Sequence, residues 1–464
     1  MPLDSPKLLV TPSLPTALGT RERLEIPGSD LLVLFVHNVH VLPDAIKEDK
    51  FCDALVATLA VYPHAAGRLK REGDNNDWHI ALTNSPVPVF VSVCDDDAVV
   101  PEDRVVQDDN SRLLPHSRVV VTNADEPLLR FKITNFRRTG ETALGISWHH
   151  VLGDAYALLC FTHTLSSFYQ GLPSPYPQPT FAKHFFSPPP IDPATVSTFE
   201  AIMPHLVNDY DRVGLIEKLT KMLEETEQVH LRFSKSQLEE IRDRVHQDAV
   251  DGETFSRQDC LTAYLVTVLT RVLDVPVQRV ITVLNYRNIS DRPFAHSNLA
   301  GNSISVTFSS IIAADDVLSL SAIARAVRAS ITRARDPEFE EMWMTFASYY
   351  MKRTADADRS PWYGPDEGEA NVNSNYGFDW NAAHFGFPGR ARFYTAFLLD
   401  RQFRVFRANP TKLKDGTWVS NEGAVDVAFR IWREAAEKAA DVVRADFGGD
   451  GHDSVIFPTS TRPS

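Results

Sequence analysis

Chemistry in this sequence starts at His149-His150-Val151-Leu152-Gly153-Asp154. An unperturbed imidazole titrates at about 6.5, so near neutral pH it takes up a proton and gives it back. His150 is therefore a candidate general base. Asp154, four residues on, has two readings. In a helix-like turn it faces His150; in an open turn it caps the next helix or pairs with an arginine. The second, structural role is the preferred one. No HExxH run offers a metal site, and no GxSxG elbow presents a serine nucleophile. A base without a protein nucleophile fits direct transfer, in which the substrate supplies the attacking atom.

The elements around this motif must place it at a strand end. Leu31 to Leu42, rich in Val, Leu and Phe, predicts a buried strand. A helical stretch from Asp49 to Val61 follows and ends at Tyr62-Pro63. Leu128 to Phe136 and Thr142 to Trp148 predict two strands joined through Arg138-Thr139-Gly140. From Ala155 to Tyr169 the apolar spacing becomes helical, with Gly171 and Pro173 as stops. The motif thus lies between a strand and a helix that Asp154 can cap, and Gly153 suits the tight turn between them.

A proline-rich stretch, Pro173 to Pro193, reads as a surface connector. A second unit opens near Gln228 with a strand (Val229 to Phe233) and a helix begun by Ser234. Ser256 starts a helix running to Leu273. Strands Val280 to Asn285 and Ser303 to Phe308 flank a loop with Gly301-Asn302. The stretch Ser360 to Gly389 reads as ordered loop with a short strand, and a last helix is expected through Gly423 to Phe447. The boundaries expected are an N-terminal domain over 1–195, completed by about 368–392, a crossover connector over 196–227, and a C-terminal domain over 228–464.

Length and composition set limits on this. The 464 residues suit two domains of roughly 200 residues each. The 27 phenylalanines supply bulky apolar core material. A net charge of −14 speaks against nucleic-acid binding, which needs a basic stripe. Cys52, Cys94, Cys160 and Cys260 show no CxxC spacing, so neither zinc nor a disulfide framework is expected. Leu32 to Val36 is apolar but too short to span a bilayer. No leader or lipidation signal is read at the ends, and the cytosol is the expected compartment.

Several motifs in order resemble the BAHD acyltransferases of plants and fungi, and more distantly the chloramphenicol acetyltransferases and condensation domains. Tyr62-Pro63-His64-Ala65-Ala66-Gly67-Arg68-Leu69 resembles the family's YPxxAGRL element. His149 to Asp154 matches HHxxxD. Ser256 to Tyr264 resembles the segment opening the second half, and Val283-Leu284-Asn285-Tyr286-Arg287 its strand ending in arginine. Leu299-Ala300-Gly301-Asn302 stands where the family has YFGN. The late DFGWG element departs. His384-Phe385-Gly386-Phe387 lacks its Asp and Trp, and Phe378-Asp379-Trp380 is a scrambled rival. The Ser-Trp segment upstream appears as Asn373-Ser374-Asn375.

The resemblance implies an α/β fold of two similar chloramphenicol-acetyltransferase-like domains, each a mixed sheet with flanking helices, with a tunnel between them. It implies acyl transfer from acyl-CoA, as co-substrate with no permanently bound cofactor, to a hydroxyl or amine of a small molecule, in a monomer. His150 becomes the base and Asp154 a scaffold residue paired with Arg287. Ser374 and Asn375 are candidate oxyanion donors. Ser256 and Arg257 are candidate CoA-phosphate partners, Ser256 equally a helix cap. Asn302 divides between CoA contact and loop support. Two rivals stay open: a catalyst fed by a carrier protein, and a non-catalytic member binding a metabolite or a partner.

Overall fold

Two mixed sheets of seven strands each, among the described residues, organise the chain. The structure, a computed structural model, describes residues 7–12, 18–74, 76–95, 104–107, 109–116, 122–448 and 455–456. The first sheet runs Leu8–Val10, Val87–Cys94, Leu129–Phe136, Thr142–His149, Phe35–Leu42, Arg392–Ala396, Val106–Gln107. The second runs Ile304–Phe308, Arg279–Asn285, Glu369–Ser374, Gln402–Arg407, Val425–Trp432, Thr226–Phe233, Val455–Ile456.

Thr142–His149 is central in the first sheet and buried along its whole length. It pairs antiparallel with Phe35–Leu42, from Leu42 opposite Thr142 to Phe35 opposite His149. On one face lie the helices Glu48–Val61 and Ala155–Tyr169, whose apolar residues at i, i+3 and i+4 pack inward. Phe51 meets Phe131 with ring centroids 5.4 Å apart, and Phe161 meets Trp148 at 5.3 Å. The second sheet is covered by Lys235–Gln247, Arg257–Thr270, Leu320–Ala334 and Arg433–Phe447, around Phe403, Val405, Val427 and Phe429. A third apolar cluster joins the halves: Trp343, Phe346 and Tyr350 of helix Pro337–Asp356 pack with Leu32, Tyr286 and Phe294.

Three sequence expectations need correction. The strand expected from Leu31 begins only at Phe35, because Gly28–Asp30 forms a helical turn and Leu32 is drawn into the third cluster. The helix expected from Gly423 is a strand, Val425–Trp432, followed by the helix Arg433–Phe447. Val425, Val427, Phe429 and Ile431 alternate with a period of two, which belongs to a strand. The segment that returns to the first half, expected over about 368–392, overlaps that range but starts and ends later. Glu369–Ser374 pairs with Arg279–Asn285 and Gln402–Arg407 in the second sheet, whereas Arg392–Ala396 pairs with Phe35–Leu42 in the first. Between them, Trp380 stacks on Phe393 at 4.5 Å and Phe385 packs in the first core.

Candidate active site

At His149 the central strand ends and the chain folds into a helical turn, His150–Leu152. The turn is held by its own polar groups. His149 Nδ1 accepts from Val151 N at 3.2 Å, so His149 caps the turn. Burial, then the neighbouring His150 and Arg130, push its imidazole down to about 3, so it stays neutral. Trp148 Nε1 donates to Gly153 O at 2.8 Å. Gly153 has φ 147°, and a Cβ there would stand 2.5 Å from the Ala157 Cβ. Both backbone and space require glycine at this position. Asp154 Oδ1 then accepts from Ala157 N at 3.0 Å and caps the helix Ala155–Tyr169.

The other half of the site arrives from the loop Leu299–Ser303. Asp154 Oδ2 accepts from Arg287 Nη1 at 2.7 Å and from Ser303 N at 2.8 Å. The Asp154 and Arg287 side chains are 3% and 2% exposed. Burial works to raise the Asp154 carboxyl, but the Arg287 guanidinium and the bonds from Arg287, Ser303 and Ala157 outweigh it and hold the group below the usual carboxylate value. Arg287 Nη2 donates to Leu299 O at 3.1 Å and Gly301 O at 2.7 Å.

His150 itself is half-buried. Its N–H donates to Leu34 O at 2.8 Å, which ties the turn to the neighbouring strand's entry. Its ring is oriented by Asn302. The Asn302 Nδ2 atom lies 3.0 Å from His150 O and 3.3 Å from Asp30 O, two groups that only accept. That end of the amide is therefore the NH2, and the other end, Oδ1, faces His150 Nδ1 at 3.0 Å. Nδ1 carries the hydrogen and donates it, leaving Nε2 with the basic lone pair. Burial lowers the His150 pKa; the Asp154 carboxylate, the Asn302 bond and the Asp30 carboxylate partly oppose it. The ring is thus a neutral base at neutral pH.

The residues singled out by sequence fall into two groups. His150, Gly153, Asp154, Arg287 and Asn302 form one constellation. Ser256, Arg257, Ser374 and Asn375 form a second group, around the start of the helix Arg257–Thr270. Ser256 caps it, its Oγ accepting from Asp259 N at 3.2 Å. Arg257 Nη1 donates to Tyr376 Oη at 2.9 Å, and Ser374 Oγ to Gln258 Oε1 at 2.7 Å. Asn375 Nδ2 donates to Asn373 Oδ1 at 3.2 Å. Two residues of the first constellation are not identified by the sequence reading: Asp30 and Lys183. The signal for Asp30 was present, since a single acid before the run Leu31 to Val36 has to find a partner once buried. Lys183 sits in the proline-rich connector, where nothing marks it.

The arrangement can hold a neutral imidazole in one tautomer beside two charge-compensated carboxylates. No helix of the described residues is long and apolar enough to cross a membrane. In comparison with known proteins, residues 7–393 match the Transferase family. No curated protein matches the sequence. Among solved structures, the chain is similar to TRI101 of F. graminearum complexed with ethyl coenzyme A: TM-score 0.61, 15% identity, covering 92% of this chain and 97% of that one. TRI101 of F. sporotrichioides, complexed with coenzyme A and T-2, gives 0.63 and 14% over 90% and 97%. Vinorine synthase gives 0.61 and 16% over 94% of each chain. With the family match spanning more than four-fifths of its length, the chain belongs to the Transferase family of BAHD proteins.

Proposed function

We propose that the chain is an acyl-CoA-dependent acyltransferase acting on a small molecule and that His150 is the general base of this transfer. The observation that carries the reading is the Asn302 amide, whose orientation leaves Nε2 of His150 free to accept a proton. In the proposed reaction, an acceptor hydroxyl or amine gives its proton to Nε2 as its oxygen or nitrogen attacks the thioester carbonyl of acyl-CoA. The C=O bond opens to a tetrahedral oxyanion, which needs donors already in place. The oxyanion collapses, the C–S bond breaks, and the proton on Nε2 leaves with the CoA sulfur. A thiol pKa of about 8.5 makes this an easy departure. No acyl group is attached to the protein at any step.

The same reading gives Ser374 or Asn375 to the oxyanion, once their present bonds to Gln258 and Asn373 exchange. It gives the helix N-terminus at Ser256 and the Arg257 guanidinium to a CoA phosphate, a natural anion site. Ethyl coenzyme A in the F. graminearum TRI101 complex, and coenzyme A with T-2 in the F. sporotrichioides one, support a CoA donor and a specialised-metabolite acceptor. The test is CoA release by purified protein, with a panel of alcohols and amines against several acyl-CoAs. His150→Ala should lower turnover roughly 10²–10⁴-fold. Parent-like turnover by that variant refutes the base assignment, and activity confined to a carrier-bound donor refutes the CoA one.

A further inference from the structure

Behind Asn302 lies a second buried ion pair that the reaction as described does not use. Lys183 Nζ donates to Asp30 Oδ2 at 2.5 Å and to Ala300 O at 2.9 Å. The two side chains are 4% and 2% exposed. Asp30 grips Asn302 twice. Its Oδ1 accepts from Asn302 N at 3.2 Å and its carbonyl from Asn302 Nδ2 at 3.3 Å. Lys183 is brought there by a stretch of connector lying alongside residues 298–300. Thr180 N donates to Asn298 O at 3.0 Å, and Ala300 N to Thr180 O at 2.9 Å.

Gly301 adds a separate observation. A Cβ on it would stand 1.8 Å from Lys183 Nζ and 3.1 Å from Asp30 Oδ2. The missing side chain is the space that the ammonium occupies. An ion pair removed from water is weak evidence for stability by itself, because desolvation offsets most of its attraction. Its geometry here points to placement: each of its groups bonds to Asn302 or to the residues just before it.

We infer that Lys183 is a positioning residue for the reaction: with Asp30 and the gap at Gly301 it fixes Asn302, and through Asn302 it keeps His150 in the Nδ1–H form. The inference rests on His150 being the base. Its consequence for the ring is measurable without any substrate. A neutral imidazole has two tautomers of similar energy, so loosening Asn302 lets the hydrogen move to Nε2, where it blocks the proton transfer.

The experiment uses full-length protein labelled with 15N-histidine, the His150 ring signals being assigned by their loss in His150→Gln. The parent should show Nδ1 protonated and Nε2 bare. Lys183→Met removes the ammonium at similar chain length. Gly301→Ala displaces it with one methyl group while leaving every charge in the chain, so it tests the same link by forcing the ammonium aside rather than removing it. Thermal unfolding sets a temperature at which each variant is folded. In both, the ring nitrogens should shift towards the Nε2–H form. With acetyl-CoA and the acceptor that the parent uses best, kcat should fall about tenfold or more while KM for acetyl-CoA stays within about twofold. Retention of the parent tautomer in both folded variants overturns the inference and leaves the role of His150 intact. A shifted tautomer with unchanged kcat overturns both the inference and the base assignment.

Discussion

Asp154→Asn separates a structural carboxylate from a chemical one. The substitution keeps an oxygen for Ala157 N, so the helix cap, worth about 1 kcal/mol, survives. It removes the charge opposite Arg287, whose side chain is 2% exposed and whose Nη2 stays fastened to Leu299 O and Gly301 O. With its oxygen kept on Ala157 N, it also puts an NH2 against both the Arg287 guanidinium and Ser303 N, which are themselves donors. Breaking a buried pair from one side costs about 3–5 kcal/mol. At about 2–4 °C per kcal/mol for a domain of this size, the melting temperature should fall by roughly 6–20 °C. The measurement is thermal unfolding by circular dichroism, paired with kcat at a temperature where the variant is still folded. Activity per folded molecule should drop far less than in His150→Ala. Parent-like melting with turnover lost would refute the scaffold role and move Asp154 into the chemistry.

The same carboxylate sets a pH dependence of stability. Its folded pKa lies below the unfolded value, so its contribution is present above the unfolded pKa of about 3.9 and is lost as pH falls through the folded one. Asp154→Asn should therefore narrow its deficit relative to the parent in acid.

Three further outcomes follow from the geometry. Asn302→Leu leaves the His150 Nδ1 hydrogen without its acceptor and frees the tautomer; kcat should fall roughly 10–100-fold with KM for acyl-CoA little changed, and an unchanged kcat removes Asn302 from the mechanism. Burial lowers the His150 pKa, so the acid limb of kcat/KM against pH should inflect below about 6.5, whereas an inflection above it contradicts a buried base. Glu340 is 1% exposed, and burial pushes its carboxyl up to about 8. The folded state then holds a proton that the unfolded chain loses near pH 4.5, so stability should decline by about 1.4 kcal/mol per pH unit between about pH 4.5 and 8. Glu340→Gln should flatten that slope in melting curves, and a parent-like slope rules Glu340 out as its source.

Legibility from sequence followed the range of the interaction. The helix at Ala155–Tyr169 was readable to its ends because cap, apolar spacing and stop lie within twenty residues of one another. The Arg287 partnership of Asp154 was implied by the resemblance to the family, and Arg287 Nη1 stands 2.7 Å from Asp154 Oδ2. What escaped depended on separations that no local pattern records. Asp30 and Asn302 are 272 positions apart, and Lys183 and Asp30 are 153. Asn302 was read as a CoA contact or a loop support, and its bond to His150 lay outside both readings. The strand Val425–Trp432 was missed for a different reason: the helix after it begins without a side-chain cap, so two periodicities run together with no stop between them.

The loop Leu299–Ser303 shows why two carboxylates surround a base that needs only one proton-accepting atom. Its carbonyls at Leu299 and Gly301 are taken by Arg287, and the carbonyl at Ala300 by Lys183. Its amides at Asn302 and Ser303 are taken by Asp30 and Asp154. Each acid comes from the first part of the chain, and each is neutralised by a cation that also holds this loop. Backbone groups bound on both sides by charge-assisted bonds have little freedom left to move. Proton transfer is lost when the base is misplaced by about an ångström. His150 follows the first sheet's central strand and Asn302 belongs to a loop of the second half, so rigidity inside either half would not align them. Two ion pairs crossing to one loop do, and none of the bonds of this network engages His150 Nε2.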